Sequence, residues 1–321
     1  MPNGIRALKV RCRVASRMGT DFSINVSFYR LSAALQPFFT ALYLFETECP
    51  GGGTVEDYLH PEWAAMRFTV QGRPPAACVG PGELHPQWPF VVSGPNSRSI
   101  RFQLSTARTW GLGLLPAGWA RFVDARARDF ADRTANGAED PAFRLFAPIL
   151  SLAQKSVLSR DEAAAEINAY LLSQLGKPSP QEQLVVACHE ALRDPEVASV
   201  AQLGDRLGLS ARSLERLCGR YFGFPPKLLL RRQRFLRSLA QFTLHTGSNW
   251  SDALDGQYYD QAHFVRDFKS FMGMNPREYA DMPHPVMDKI MAYRMVDQGA
   301  APATDLPTIL RYTGDLGDES E

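Results

Sequence analysis

Two stretches toward the C-terminal end share one pattern of apolar and polar positions. In residues 200–221, Leu203 and Leu207 recur at helical spacing, Gly208 interrupts, and Leu214, Leu217 and Tyr221 resume the stripe. In residues 250–271 a short segment is followed by Asp260 and then by Phe264, Phe268 and Phe271 at the same spacing. Each pattern predicts a short amphipathic helix, a tight turn and a capped second helix. Ser210 and Asp260 stand at the cap positions, where a side-chain oxygen accepts a bond from a free backbone N–H. The polar positions left facing outward are Arg212, Ser213, Glu215, Arg216 and Arg220 in the first unit. In the second they are Gln261, His263, Arg266 and Lys269. This is the pattern of a helix-turn-helix, whose second helix enters the major groove of DNA. Between the units, residues 225–243 begin with two prolines, suited to a first helical turn, and predict a rod of roughly 28 Å. With helix thickness added, such a rod could hold two reading helices about one DNA turn (~34 Å) apart.

Upstream the period changes. Residues 21–125 read as short strands, at 26–30, 38–46, 58–60 with 66–70, 90–93, 99–104 and 110–115. Clusters such as Pro50-Gly-Gly-Gly and Gly72-Arg-Pro-Pro punctuate them. Strands at this spacing suggest a β-sandwich or small barrel over residues 21–140. Residues 141–175 return to helical spacing: Phe143, Phe146, Ile149, Leu150 and Ala153 form one stripe. After Ser159, Ala163, Ile167, Tyr170, Leu171 and Leu175 form another, giving a helical hairpin. Residues 176–180 read as a linker. Residues 1–20, with five basic side chains and no apolar run, read as a loose N-terminus. The tail, 283–321, has one helical stretch (286–296) and an acidic end, expected to be solvated or to rest on a basic patch.

Composition narrows the function. Hydrophobic residues make up 45% and charged residues 21% of 321 positions, as in a globular protein with substantial cores. The net charge of +1 gives no overall attraction to nucleic acid. A basic face can still be local: Lys227, Arg231, Arg232, Arg234 and Arg237 crowd one predicted helix, and phosphate contact is the reading favoured beside two helix-turn-helix units. Five widely spaced cysteines without a CxxC pair fit reduced thiols in a cytoplasmic protein. No apolar run reaches the ~18 residues of a membrane span, so no membrane association is expected. In the β-rich region only His60 and His85 could serve a metal, without an HxH pair, and no nucleophile triad or phosphate loop stands out; Gly111-Leu-Gly113 lacks a third glycine and a following helix. No metal, no cofactor and no catalytic residue is therefore expected. The aromatic content is mostly core, with part of it free to line an apolar pocket anchored by His60, Arg67 or Arg101.

Residues 181–282 resemble the paired helix-turn-helix domain of the AraC/XylS family of bacterial transcription regulators. Leu209-Ser-Ala-Arg-Ser-Leu-Glu-Arg-Leu followed by Gly223-Phe-Pro-Pro carries the likeness in the first unit. Tyr258-Tyr-Asp-Gln-Ala-His-Phe-Val-Arg-Asp-Phe followed by Gly273-Met-Asn-Pro-Arg-Glu-Tyr carries it in the second. Two positions depart from the pattern: Gly204 stands where the family has a small residue such as Ala, and Gln257 where it has the turn glycine, with Gly256 displaced by one. The resemblance implies an N-terminal sensing domain, often cupin-like, and dimerisation through the hairpin of 141–175.

The expected chain is α+β and multidomain: an N-terminal β-sandwich or cupin-like barrel with a helical hairpin, then an all-α double helix-turn-helix domain. Its expected function is sequence-specific binding of double-stranded DNA as a transcription regulator. A small-molecule effector, a homodimer and, for an activator, RNA polymerase are the expected partners. Arg212, Glu215, Arg216, Gln261, His263 and Arg266 are the candidate base readers, because Arg matches guanine O6/N7, Gln adenine N6/N7 and Glu cytosine N4. Ser210, Arg220, Lys227, Arg231, Arg232 and Lys269 are the candidate phosphate contacts. The alternatives are a partner-dependent regulator with a degenerate second unit, or an enzymatic barrel with a DNA-binding appendage.

Overall fold

The computed structural model describes residues 7–15, 21–155, 157–178, 180–244, 258 and 260–287. Their N-terminal part is a sandwich of two antiparallel sheets. The strands are β1 (Ala7–Ala15), β2 (Asp21–Tyr29), β3 (Phe39–Glu48), β4 (Val55–Leu59), β5 (Ala64–Gly72), β6 (Ala76–Val79), β7 (His85–Pro86), β8 (Phe90–Ser93), β9 (Ile100–Leu104), β10 (Ala107–Leu114) and β11 (Thr134–Asn136). The larger sheet runs β1-β2-β3-β10-β5-β8-β11 and the smaller β4-β9-β6-β7. Period-2 alternation explains the layering: on β3, Tyr43 and Phe45 face the smaller sheet while Leu42 and Leu44 face the helices on the other side. Between the sheets lie Ile24, Val26, Phe28, Leu59, Ile100 and Phe102. The larger sheet is thus the middle layer of three.

The expected strands all appear, extended by a few residues, while β6, β7 and β11 went unread. The expectation of a loose N-terminus is overturned: Ala7–Ala15 pair residue for residue with β2, from Ala7 opposite Tyr29 to Ala15 opposite Asp21. Leu8, Val10, Cys12 and Val14 alternate with Lys9, Arg11 and Arg13 in an ordinary strand pattern, which the basic charge obscured. The two glycines of Gly111-Leu-Gly113 make room for side chains of β3. A Cβ at Gly111 would lie 1.9 Å from the Tyr43 ring, and one at Gly113 2.0 Å from the Thr40 hydroxyl.

Helices cover the outer face of the larger sheet: α1 (Pro116–Phe122), α2 (Ala147–Ala153) and α3 (Arg160–Ser173), with a 3-10 turn at Pro141–Phe146 before α2. Asp140 caps that turn and Ser159, in a capping box with Glu162, caps α3. Phe143, Phe146, Ile149, Ala163, Ile167 and Leu171 all sink into the sheet's core, so the hairpin spends its apolar stripe on the sandwich. Helix α1 contains Gly118, where propensity alone would favour Ala by about 1 kcal/mol. Packing decides otherwise, since a Cβ there would meet the Phe38 carbonyl oxygen at 2.2 Å. Gly118→Ala is expected to lower stability by about 1–3 kcal/mol, readable as a drop in the urea midpoint; an unchanged or higher midpoint would refute that packing.

The C-terminal part is helical: α4 (Glu182–Arg193), α5 (Val200–Leu207), α6 (Ala211–Tyr221), α7 (Pro226–Leu244), α8 (Gln261–Met272) and α9 (Pro276–Ala280). Residues 176–180 separate helices but not cores. Val185, Cys188, Leu203, Leu214, Leu217 and Phe222 continue the same buried cluster as Trp110 and Phe146. Across the segment, Arg121 of α1 grips Glu182 with two N–H donors at 2.5 and 2.6 Å and donates to the Leu175 carbonyl. A separate cluster of Phe235, Leu239, Phe264, Phe268, Phe271 and Tyr279 holds α8 against α7. Among the described residues no helix is long and apolar enough to cross a membrane.

Candidate DNA-reading site

The first unit is built as its sequence dictates. Ser199 and Gln202 form a capping box at the start of α5, and Gly208 takes the left-handed conformation (φ 62°) that closes it. Ser210 accepts from the Ser213 amide at 3.3 Å and starts α6. Gly204, the small-residue position, is buried, and a Cβ there would stand 3.0 Å from the Leu209 carbonyl, at the edge of what fits. With Leu214 and Leu217 inward, Arg212, Glu215, Arg216 and Arg220 are exposed along the opposite face. Among the described residues Arg212, Glu215 and Arg216 are in no ion pair. Their charges are free for a partner. Arg220 lies over its neighbour Tyr221, its Nε 3.2 Å from the phenol oxygen.

In the second unit Asp260 accepts from the His263 amide at 2.7 Å and caps α8, which ends at left-handed Gly273 (φ 77°). Asn275 and Glu278 box the start of α9. Gln261, Arg266 and Lys269 are exposed, on the face away from Phe264 and Phe268. His263 differs from its outward expectation. Its ring is half-buried, packs edge-on to Tyr258 and approaches Arg234 Nη2 at 3.1 Å. The turn position Gln257 and the first helix expected before it in the second unit lie outside the described residues.

The basic cluster of α7 is corrected in part. Lys227 is exposed, but Arg232 is only 1% exposed and cannot reach a phosphate. Helix α7 runs between the sandwich and α8, so arginines spaced around it meet protein on two sides. Arg231 and Arg234 turn to Asp267, at 2.5 and 3.1 Å, and Tyr258 donates to the same carboxylate at 2.9 Å. Arg231 is thereby held in an internal pair, with part of its side chain still at the surface. Burial, then the Asp267 charge, holds the Tyr258 phenol above its ordinary pKa.

Arg232 turns the other way. Its guanidinium lies 3.9 Å from the centroid of Trp63 and donates to the carbonyls of Asn96 (2.9 Å) and Glu62 (3.3 Å), all in the sandwich. Burial pushes its pKa down to about 9; an arginine keeps its proton at neutral pH even so. The indole also meets His189 of α4 edge-on at 5.2 Å and Phe222 at 5.7 Å. Burial, then Arg193 and Arg232, pushes His189 down to about 4. The folded ring is therefore neutral, and the unfolded chain takes up the extra proton. The stability this group contributes is fully present above about pH 6.5 and is lost as pH falls from there toward 4. His189→Leu is expected to flatten that slope, removing about 1–2 kcal/mol of acid sensitivity after allowance for partial solvent screening. Denaturant midpoints of both proteins between pH 7 and 4.5 check this, and parallel curves would count against it.

The three candidate pocket residues fall in three different places. His60 is buried and its Nε2 sits 2.7 Å from the Tyr279 hydroxyl of α9, so it belongs to the contact between sandwich and second unit. Arg101 pairs with Glu56 at 3.6 Å and donates to the Gly82 carbonyl, at the surface of the smaller sheet. Arg67 does line a cavity of about 70 Å³ between the sheets, together with Tyr43, Phe45, Gln87, Phe102 and Val286. It donates to Ser93 and Glu62 at 3.1 and 3.0 Å. Burial works against its charge, but Tyr43 and Glu62 outweigh burial and hold its pKa above the ordinary arginine value.

Residues 203–282 match the family model described as a helix-turn-helix domain. No curated protein matches the chain. Among solved structures it is similar to apo ToxT from Vibrio cholerae, at 14% identity and a TM-score of 0.39 over 81% of this chain and 97% of that one. It is similar to ToxT from Vibrio cholerae bound to (E)-4-(8-methylnaphthalen-1-yl)but-3-enoic acid, at 13% identity and a TM-score of 0.40, covering 71% and 97% of the two chains. The AraC-like transcriptional activator CuxR is similar at 15% identity and a TM-score of 0.30, over 68% and 82%.

Proposed function

We propose that this chain, whose residues 203–282 match the helix-turn-helix family model, is a DNA-binding transcription regulator of the AraC type that reads two successive major-groove segments. One observation carries this: both capped second helices expose their polar faces while their apolar faces are sunk in the protein. Arg212, Glu215 and Arg216 read base edges from α6, and Gln261 and Arg266 from α8. Ser210, Arg220, Lys227 and Lys269 contact phosphates, with Arg231 restricted by its pairing to Asp267. His263 reads a base only after leaving Arg234, which favours a weaker second unit over an equal one. The sandwich takes a small-molecule effector in the cavity at Arg67. A homodimer would meet through the polar outer face of the α2–α3 hairpin, because the apolar stripe is already covered. RNA polymerase is the further partner of an activator, and the setting is cytoplasmic. Genome-wide capture of fragments by the purified protein at fixed salt tests the reading. One enriched motif is expected, since specific sites bind about 10³-fold or more tighter than random DNA. Uniform recovery of all fragments would overturn it.

A further inference from the structure

The chain does not end its business with the sandwich at α7. After α9 it turns back, and His284, Val286 and Met287 enter the contact between the small sheet and the helical part. Asp57 of β4, 1% exposed, receives them: its Oδ2 accepts from the Val286 and Met287 amides at 2.8 and 2.9 Å. Its Oδ1 accepts from the Tyr58 amide at 2.7 Å and lies 3.1 Å from His284 Nδ1. The other ring nitrogen of His284 is 2.8 Å from the Tyr279 carbonyl oxygen, and the ring stacks on Tyr279 at 4.0 Å. Both ring nitrogens thus face oxygen atoms, of Asp57 on one side and of Tyr279 on the other. The acidic end of the tail, expected to be solvated or to rest on a basic patch, lies outside the described residues.

The consequence lies one residue further. Val286 is 3% exposed, packs with Ile100 and Phe102, and forms part of the wall of the cavity that holds Arg67. At about 70 Å³ the cavity is well short of what ligand pockets hold. Its lining is mostly apolar, yet Gln87 Oε1 is buried there without a hydrogen-bond partner among the described residues. A buried acceptor left unpaired costs about 1–3 kcal/mol, so the cavity favours a molecule that donates to it.

We infer that His284–Met287 is a displaceable plug: an apolar molecule with one hydroxyl, placed between Gln87 and Arg67, and the seated Val286 exclude each other. The hydroxyl donates to Gln87 Oε1 and accepts from Arg67. Entry of the molecule drives Val286 out, breaks the Asp57 bonds and loosens α9, whose Tyr279 is tied to His60. Occupancy of the sandwich is thereby converted into freedom of the second DNA-reading unit. The inference rests on the reading of the sandwich as the effector domain.

The test uses the full chain and 2-naphthol, an aromatic probe with one hydroxyl, followed by its fluorescence. Amide exchange of residues 284–287 is measured with and without it. The plug account expects the protection of the Val286 and Met287 amides to fall at least fivefold when the probe binds. Two substitutions must move binding in opposite directions. Val286→Asp, which expels the plug, is expected to tighten probe binding at least threefold, and Val286→Phe, which fills the cavity, to weaken it as much. Exchange that does not respond to bound probe, or two variants that shift binding the same way, would overturn the plug. Specific DNA capture by the unmodified protein is read in parallel: its absence discards the regulator, while the exchange and fluorescence results still decide the plug.

Discussion

Replacing Arg232 by alanine is expected to cost about 2–4 kcal/mol of stability, because the cut falls where the helical part is fastened to the sandwich. Three losses add. The Trp63 face loses a cation in a desolvated site, worth about 2 kcal/mol. The Asn96 carbonyl loses the guanidinium donor, the Glu62 carbonyl keeps only the Asn96 amide, and a void opens between Trp63 and Phe224. One term opposes them: a buried charge is costly to hold, as the depressed pKa of this guanidinium reflects. Arg232→Met separates the terms, since it keeps the volume and removes the charge. The arginine anchor account expects methionine to recover part of the loss and alanine none. Denaturant midpoints decide it, and an alanine variant within 0.5 kcal/mol of the parent (about the size of an ordinary surface change) would remove Arg232 from the fastening.

Arg216→Ala is expected to act on DNA instead of on the fold. The side chain is exposed on α6 and in no ion pair among the described residues, so its loss leaves stability nearly unchanged. Specific affinity should fall by about 1–3 kcal/mol, with discrimination relaxed at one base position. Lys227→Ala provides the contrast: it should weaken all sequences alike and reduce the salt slope by about 1. Competition across a set of single-base site variants, at stated salt, separates the two. Equal weakening of every site by Arg216→Ala would reassign that residue to phosphate.

The sequence and the structure agree most where a local rule acts alone. Ser210, Asp260 and Gly208 are a cap, a cap and a left-handed turn because of their own chemistry, and the chain around them follows. The same holds for Phe264, Phe268 and Phe271, whose spacing sets the buried side of α8. What was illegible depended on partners far along the chain. Arg231 and Arg232 look alike in sequence, yet one meets Asp267 and the other Trp63, according to which neighbour each side of α7 faces. His60 looked like a pocket anchor and instead touches Tyr279, 219 positions away. Nothing in the sequence around Asp57 of β4 signals that His284 and the Val286 and Met287 amides converge on it. Strand β1 carries a period-2 alternation in its sequence, which its positive charge masks.

In the proposed function one chain meets DNA twice, through α6 and through α8. A hydroxyl-radical footprint of the full-length protein on a captured site tests it most directly. Two protected segments on one face of the duplex, centred about 10 base pairs apart, are the expected result. Weaker protection of the first segment with Arg216→Ala and of the second with Arg266→Ala would assign each to its helix. A single protected segment, weakened by Arg216→Ala and indifferent to Arg266→Ala, would overturn the two-segment reading and leave α8 as a structural helix alone.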